Sequence, residues 1–191
     1  MMEMVIWITN YKGGVWKSTI CQNLWVCFAN DNKKVCLIDT DINQSSLDWY
    51  WLRPQTLSNV PVFYAPSSVL LSKVLKEIKI HYEVIIIDGS PSNKDLLKWI
   101  SKVSEFLFIP ILPSQIDFQV TQKMVLDLER DNLLRENDLT IRFITNQQTK
   151  TNISKSLDTW LSNLPFQRLE HKLKASVSYK QAYEQGRGVT E

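Results

Sequence analysis

A chain of 191 residues, 44% hydrophobic and 22% charged with only 5 Gly and 7 Pro, has the length for one well-buried core. Its composition excludes a disordered, collagen-like or low-complexity protein. Three cysteines (Cys21, Cys27, Cys36) and two histidines, without metal-ligand spacing, argue against a disulfide framework, a zinc site or an iron–sulfur site. No run approaches the roughly 20 apolar residues of a membrane span, and no basic-then-apolar leader opens the sequence. The expectation is a single domain over residues 1–191 in a reducing cytoplasm. The net charge of +2 is unevenly divided: residues 1–139 hold 14 Lys and Arg against 16 Asp and Glu, and residues 140–191 hold 8 against 4. The C-terminal excess is either a solvated basic face or a patch for a polyanion such as nucleic acid.

In chain order, Met4 to Ile8 reads as a short buried strand, closed by Asn10, Gly13 and Gly14. A helix is expected from about Ser18 to Ala29. Val35 to Ile38 is a second strand ending at Asp39, and Val60 to Tyr64 a third. Apolar residues at helical spacing then run from Val69 to Ile80. Val84 to Ile87, four β-branched residues ending at Asp88, is the purest strand signal in the chain. A strand so apolar on both faces belongs in the middle of a parallel sheet covered by helices. Phe106 to Ile109 and Ile141 to Thr145 are further strands, with a helix from about Gln115 to Leu134 between them. Alternating strands and helices predict an α/β fold: a three-layer, doubly wound, mostly parallel sheet of about 6–8 strands with helices on both faces. Ligands on such sheets bind beyond the carboxyl ends of the strands. Asn10 to Thr19, Asp39 and Asp88 all fall there.

Lys12-Gly13-Gly14-Val15-Trp16-Lys17-Ser18-Thr19 follows the first strand and opens a helix. A tight loop running into a helix N-terminus turns several backbone N–H groups toward one point, which suits phosphate. Lys17 adds a cation for the outer phosphates and Ser18 a hydroxyl for a magnesium ion. An ordinary strand-to-helix turn is the plainer alternative. For Asp39 and Asp41 the plainer alternative is that they cap the next helix.

This loop resembles the deviant Walker A motif of the ParA/MinD ATPases (P-loop NTPases), with Lys12 in the place of their additional lysine. Five further segments are similar to that family in the right order. They are Asp39-Thr40-Asp41 with Gln44, Ser46 and Trp49; Asp88-Gly89-Ser90-Pro91; Pro110 to Ser114; Thr145-Asn146; and Tyr179, Ala182, Gly186 and Val189. The last is similar to the tail of the short ParA proteins that lack an N-terminal helix-turn-helix. The resemblance implies that Gly13, Gly14, Val15, Trp16, Lys17, Ser18 and Thr19 surround the phosphates of ATP or ADP, with Asn146 on the adenine. It implies that Ser18, Asp39 and Asp88 hold Mg²⁺, that Asp41 orients the attacking water, and that Lys12 reaches across an ATP-sandwich homodimer. It further implies non-specific DNA as a ligand, a ParB-like or other small centromere-binding adaptor, no membrane, and a nucleoid-associated place in the cytoplasm. Arg168, Lys172 and Lys174 are the candidate DNA contacts.

The sequence departs from that pattern at Trp16, where the motif has Gly; at Ile42-Asn43, where it has Pro-Gln; and at Gly89, where it has Thr. An indole at position 16 must project outward or fill nucleotide space, so weak ATP binding and slow hydrolysis are expected. Two functional readings follow. One is a partition ATPase for a plasmid or chromosome. The other is a degenerate relative that keeps the fold and a binding or regulatory surface. A MinD-like membrane-associated role is disfavoured, because residues 181–191 lack a long basic amphipathic helix.

Overall fold

A computed structural model of the chain describes residues 4–90, 94–131, 139–147, 152–164 and 166–191. Strand β1 (Met4–Ile8) leads into helix α1 (Lys17–Asn30), β2 (Val35–Asp39) into α2 (Ser45–Leu52), and β3 (Val62–Tyr64) into α3 (Ser68–Ile78). β4 (Val84–Asp88) precedes α4 (Lys94–Val103), β5 (Phe106–Ile111) precedes α5 (Gln115–Arg130), and β6 (Thr140–Thr145) precedes α6 (Asn152–Ser162). A two-residue strand β7 (Gln167–Arg168) and helix α7 (Val177–Glu184) close the order.

The seven strands form one sheet in the order β3-β2-β4-β1-β5-β6-β7, and every described pair is parallel. The doubly wound α/β architecture expected from the strand–helix alternation is what the chain adopts. β4 lies between β1 and β2 and is buried along its whole length, as its run of isoleucines requires. The connection from β1 to β2 passes over β4, and that from β4 to β5 passes back over β1. This reversal opens a crevice at the carboxyl ends of the central strands.

Alternate residues of each strand feed two cores. Val5, Trp7, Ile85 and Ile87 face the side covered by α3, α4, α5 and α6. Ile6, Ile8, Leu37 and Ile86 face the side covered by α1 and α2, where Trp25 and Trp49 are the largest buried side chains. Pro110 sits inside β5 without breaking it. The Thr9 N–H reaches the carbonyl of Phe108, so residue 110 turns its missing N–H to the same side, just past the end of β1. Its carbonyl is taken by the Asn10 side chain at 2.8 Å.

Some boundaries differ from the sequence expectation. Helix α3 ends at Ile78 rather than Ile80, which is 82% exposed, because the chain turns there (His81 N–H to the Ile78 carbonyl, 2.8 Å) to enter β4. β3 begins at Val62, with Val60 buried in the segment leading to it. Helix α5 is described to Arg130, and the expected end at Leu134 lies outside the described residues, as does Pro91. α4, α6, α7 and β7 were not anticipated as elements, and α2 only as the helix that Asp39 and Asp41 would cap, without bounds.

Candidate functional site

The phosphate loop is built from below. Asn10, fully buried, donates its amide to the Pro110 carbonyl and to Thr121 Oγ1 (2.9 Å), and its Oδ1 accepts the N–H of Lys12 at 3.0 Å. One side chain therefore fixes the start of the loop to β5 and α5. At the other end, Asn146 donates its amide to the Val15 carbonyl at 2.9 Å and accepts the N–H of Gln147 at 2.7 Å. Val15 and Asn146 are both fully buried beneath the loop. Lys17 runs back under its own turn, its ammonium donating to the Lys12 carbonyl at 3.1 Å. Burial lowers the Lys17 pKa, and the nearby Asp88 charge opposes that shift.

Trp16 meets the demand of the motif in its backbone. Its backbone stands at φ 67° and ψ 28°, the left-handed conformation that glycine adopts most readily, and Gly14 stands at φ 76°. The loop therefore keeps a glycine-like path at this position, and the Trp16 carbonyl accepts the first helical hydrogen bond of α1 from Ile20 (2.9 Å). The indole packs on Tyr179 of α7, with ring centroids 5.0 Å apart.

Two carboxylates lie behind the loop. Asp39 ends β2 and Asp88 ends β4, in register as neighbours, and both are essentially inaccessible. Asp39 accepts the N–H groups of Asp41, Ser46 and Leu47 at 3.0, 2.9 and 3.1 Å, so it does cap α2. Asp88 accepts the Ser46 hydroxyl at 2.8 Å, and the Ser18 hydroxyl also favours its charged form. Burial, with the Asp39 charge adding to it, pushes Asp88 up to about 7. Asp39 is also raised by burial, against the N–H groups that hold it charged. Two buried acids beside a hydroxyl and a phosphate loop form an oxygen donor set that fits Mg²⁺. Asp41, further out, accepts the backbone and side-chain N–H groups of Asn43.

Gly89 follows Asp88, and its departure from the family pattern has a steric cause. A Cβ there would lie 2.5 Å from Thr9 Cβ and 2.6 Å from Trp7 Nε1. The side chains of β1 occupy the space that a threonine at 89 would need.

The loop and α7 together enclose a cavity of about 480 Å³. Gly13, Gly14, Trp16, Lys17, Ser18 and Thr19 form its floor, and Asp41 stands at its edge. Tyr179, Lys180, Tyr183 and Glu184 form the opposite wall. Of the residues singled out in sequence, Val15 and Asn146 support this cavity from beneath without lining it, and Lys12 is half-buried at the start of the loop. The α7 wall was missed, because only Tyr179 in it belonged to a recognisable motif. The candidate DNA contacts lie elsewhere, on β7 and the segment after it. Arg168 and Lys172 both pair with Asp158 (Lys172 at 2.6 Å), and Lys174 is exposed. Among the described residues no helix is long and apolar enough to cross a membrane.

Comparison with known proteins agrees with this geometry. The family model of the CobQ/CobB/MinD/ParA nucleotide binding domain matches residues 6–189. The septum site-determining protein MinD of Thermotoga maritima is 51% identical over 47 residues, a stretch covering 25% of this chain and only 17% of that protein. Apo McdA from Cyanothece superposes with a TM-score of 0.78 at 19% identity, over 98% of this chain and 92% of that one. A plasmid partition protein from Borrelia burgdorferi, solved bound to AMPPNP, gives 0.77 at 19%, over 97% and 90%. With the loop, the paired strand-end acids and the sheet order in place, a match across nearly the whole chain makes this a member of the CobQ/CobB/MinD/ParA nucleotide-binding family.

Proposed function

We propose that the chain is a ParA-like partition ATPase. The observation that carries the reading is the phosphate loop itself, which keeps a left-handed backbone at position 16 despite the indole. With that path intact, the N–H groups of residues 13–19 and the Lys17 ammonium receive the phosphates of ATP or ADP. Ser18, Asp39 and Asp88 hold Mg²⁺, which when bound neutralises phosphate charge. Asp41, at the cavity edge and partly exposed, orients the attacking water, and phosphoryl transfer asks the protein mainly for such positioning and charge. Asn146 serves the nucleotide by holding the loop at Val15. Lys12 reaches toward the nucleotide of a second copy in an ATP-dependent dimer. The dimer binds DNA without sequence preference through Arg168, Lys172 and Lys174, and a small centromere-binding adaptor stimulates it. The partition protein among the similar folds supports the cellular role.

The second reading, a degenerate relative with impaired nucleotide binding, is favoured by one observation: the Trp16 indole lines the cavity. Calorimetry with Mg-ATP decides between the two. The first reading expects binding that Lys17→Ala abolishes, and Asp41→Ala that binds normally but does not hydrolyse and accumulates as a dimer. Absence of binding by the wild-type chain would leave the second.

A further inference from the structure

Helix α7 forms one wall of the cavity although it buries none of its own residues. Its own hold is slight: half-buried Tyr183 packs against the core on the side of α1 and α2, and its hydroxyl donates to the Ser45 carbonyl at 3.4 Å. Eight residues of helix with so small a packed face do not hold a position by themselves. The segment after the helix supplies what the helix lacks. Gly186, at φ 63°, lies so close to the end of α2 that a Cβ would come within 2.3 Å of the Arg53 nitrogen. The Trp49 indole N–H donates to the Arg187 carbonyl at 3.1 Å, and the Val189 N–H donates to Asn23 of α1 at 2.9 Å.

Arg53 is the centre of this attachment. Its side chain is 3% exposed and its guanidinium lies 5.3 Å from the Trp25 ring and 5.2 Å from the Trp49 ring. Its fork donates to both carboxylate oxygens of Glu191 (2.8 and 2.5 Å) and to the Gly186 carbonyl at 3.0 Å, while its Nε–H donates to the Ser58 carbonyl at 2.9 Å. A planar cation between two indoles, engaged twice by one carboxylate, is a rigid attachment rather than a surface ion pair. Tyr179 is then left against Trp16, and Lys180 among the residues lining the cavity with Lys17.

We propose that Arg53 and Glu191 are positioning residues for the phosphate-loop cavity. By fixing residues 186–191 they hold α7 in place as its wall, and so set how tightly the cavity takes a nucleoside triphosphate. This rests on the nucleotide reading given above. A preformed wall spares the ligand the entropy of ordering it.

Glu191→Gln keeps the shape and removes the charge that engages both arms of the fork. On the full chain it should weaken Mg-ATP binding by about threefold to tenfold. It should also speed hydrogen exchange across 177–185, with β1 and β4 unchanged. Mg-ATP should slow that exchange in the wild type and do so less in the variant. Tyr179→Ala, which leaves the attachment intact, should weaken binding to a similar degree without freeing residues 186–191. Faster exchange in α7 with unchanged affinity would overturn the proposal, and so would unchanged exchange. Failure of the wild-type chain to bind Mg-ATP at millimolar concentration would overturn the nucleotide reading and the coupling with it. Faster α7 exchange in Glu191→Gln would then still identify the pair as an attachment, which separates the two failures.

Discussion

Trp16 adopts backbone angles that cost a residue with a side chain about 1–2 kcal/mol, and its ring contact with Tyr179 returns about 0.5–1.5 kcal/mol. The two nearly cancel. Trp16→Gly should therefore leave the urea midpoint almost unchanged while freeing the loop backbone and the cavity space beside it. Mg-ATP affinity should tighten by at least about tenfold, or roughly 1.4 kcal/mol, in calorimetric titrations of both proteins. Equal micromolar affinities would show that the indole beside Tyr179 does not hinder phosphate. Gly89 is the opposite case, a position where a side chain has no room. Gly89→Ala forces a methyl into contact with Thr9 and Trp7 in the central strand and should cost about 1–3 kcal/mol in urea unfolding. A neutral result would mean that β1 yields more easily than its burial suggests.

Between elements, the ends of β2 and β4 and the start of α2 form one electrostatic unit. The sign of its pH dependence follows from Asp88. Its folded pKa of about 7 lies above the ordinary value of 3.8, so between those limits the folded chain keeps a proton that the unfolded chain has lost. This group's contribution to stability therefore falls as pH rises from about 4 to about 7, and is level above that. Without magnesium, Asp88→Asn should gain stability over the wild type by at least about 1.4 kcal/mol more at pH 8 than at pH 5, the worth of one pKa unit. A difference independent of pH would show that Asp88 is ionised throughout. The same elements show what local sequence can reveal. Gly13-Gly14, Lys17 and the acids at the strand ends were legible because a loop and the strand before it are neighbours in sequence. The reason for Gly89 was not, because Trp7 and Thr9 reach it across the ladder from another strand. The extent of α2 was not legible, because eight residues make too few turns for a periodicity to emerge.

For the whole molecule, the basic excess of residues 140–191 is partly consumed by internal pairing. Arg168 and Lys172 share the single carboxylate of Asp158, leaving this cluster one positive charge in excess before the exposed Lys174 is added. Such a patch suits weak, sequence-independent attraction to a phosphate backbone. Reversing the charge at Lys172 and Lys174 should weaken DNA retention about equally for every sequence and flatten its dependence on salt. Unchanged retention in gels at low salt would move the DNA surface elsewhere. The parallel, helix-covered sheet was implied by the alternation of strands and helices, but its strand order and the wall opposite the phosphate loop were not. The wall depends on Arg53 meeting Glu191, 138 residues away, and no local pattern announces such a pair.

That separation bears on how the molecule comes into being. Asn23 and Arg53 leave the ribosome early, and their partners, Val189 and Glu191, arrive 166 and 138 residues later. Contacts so far apart in sequence pay their loop-closure entropy before they return anything. A nascent chain can assemble β1, β2 and β4 around the phosphate loop while one side of the cavity is still missing. Docking of residues 177–191 then follows assembly of those strands. A chain stalled before that point would carry the sheet and the loop, with Trp25 and Trp49 uncovered where Arg53 and the tail should meet.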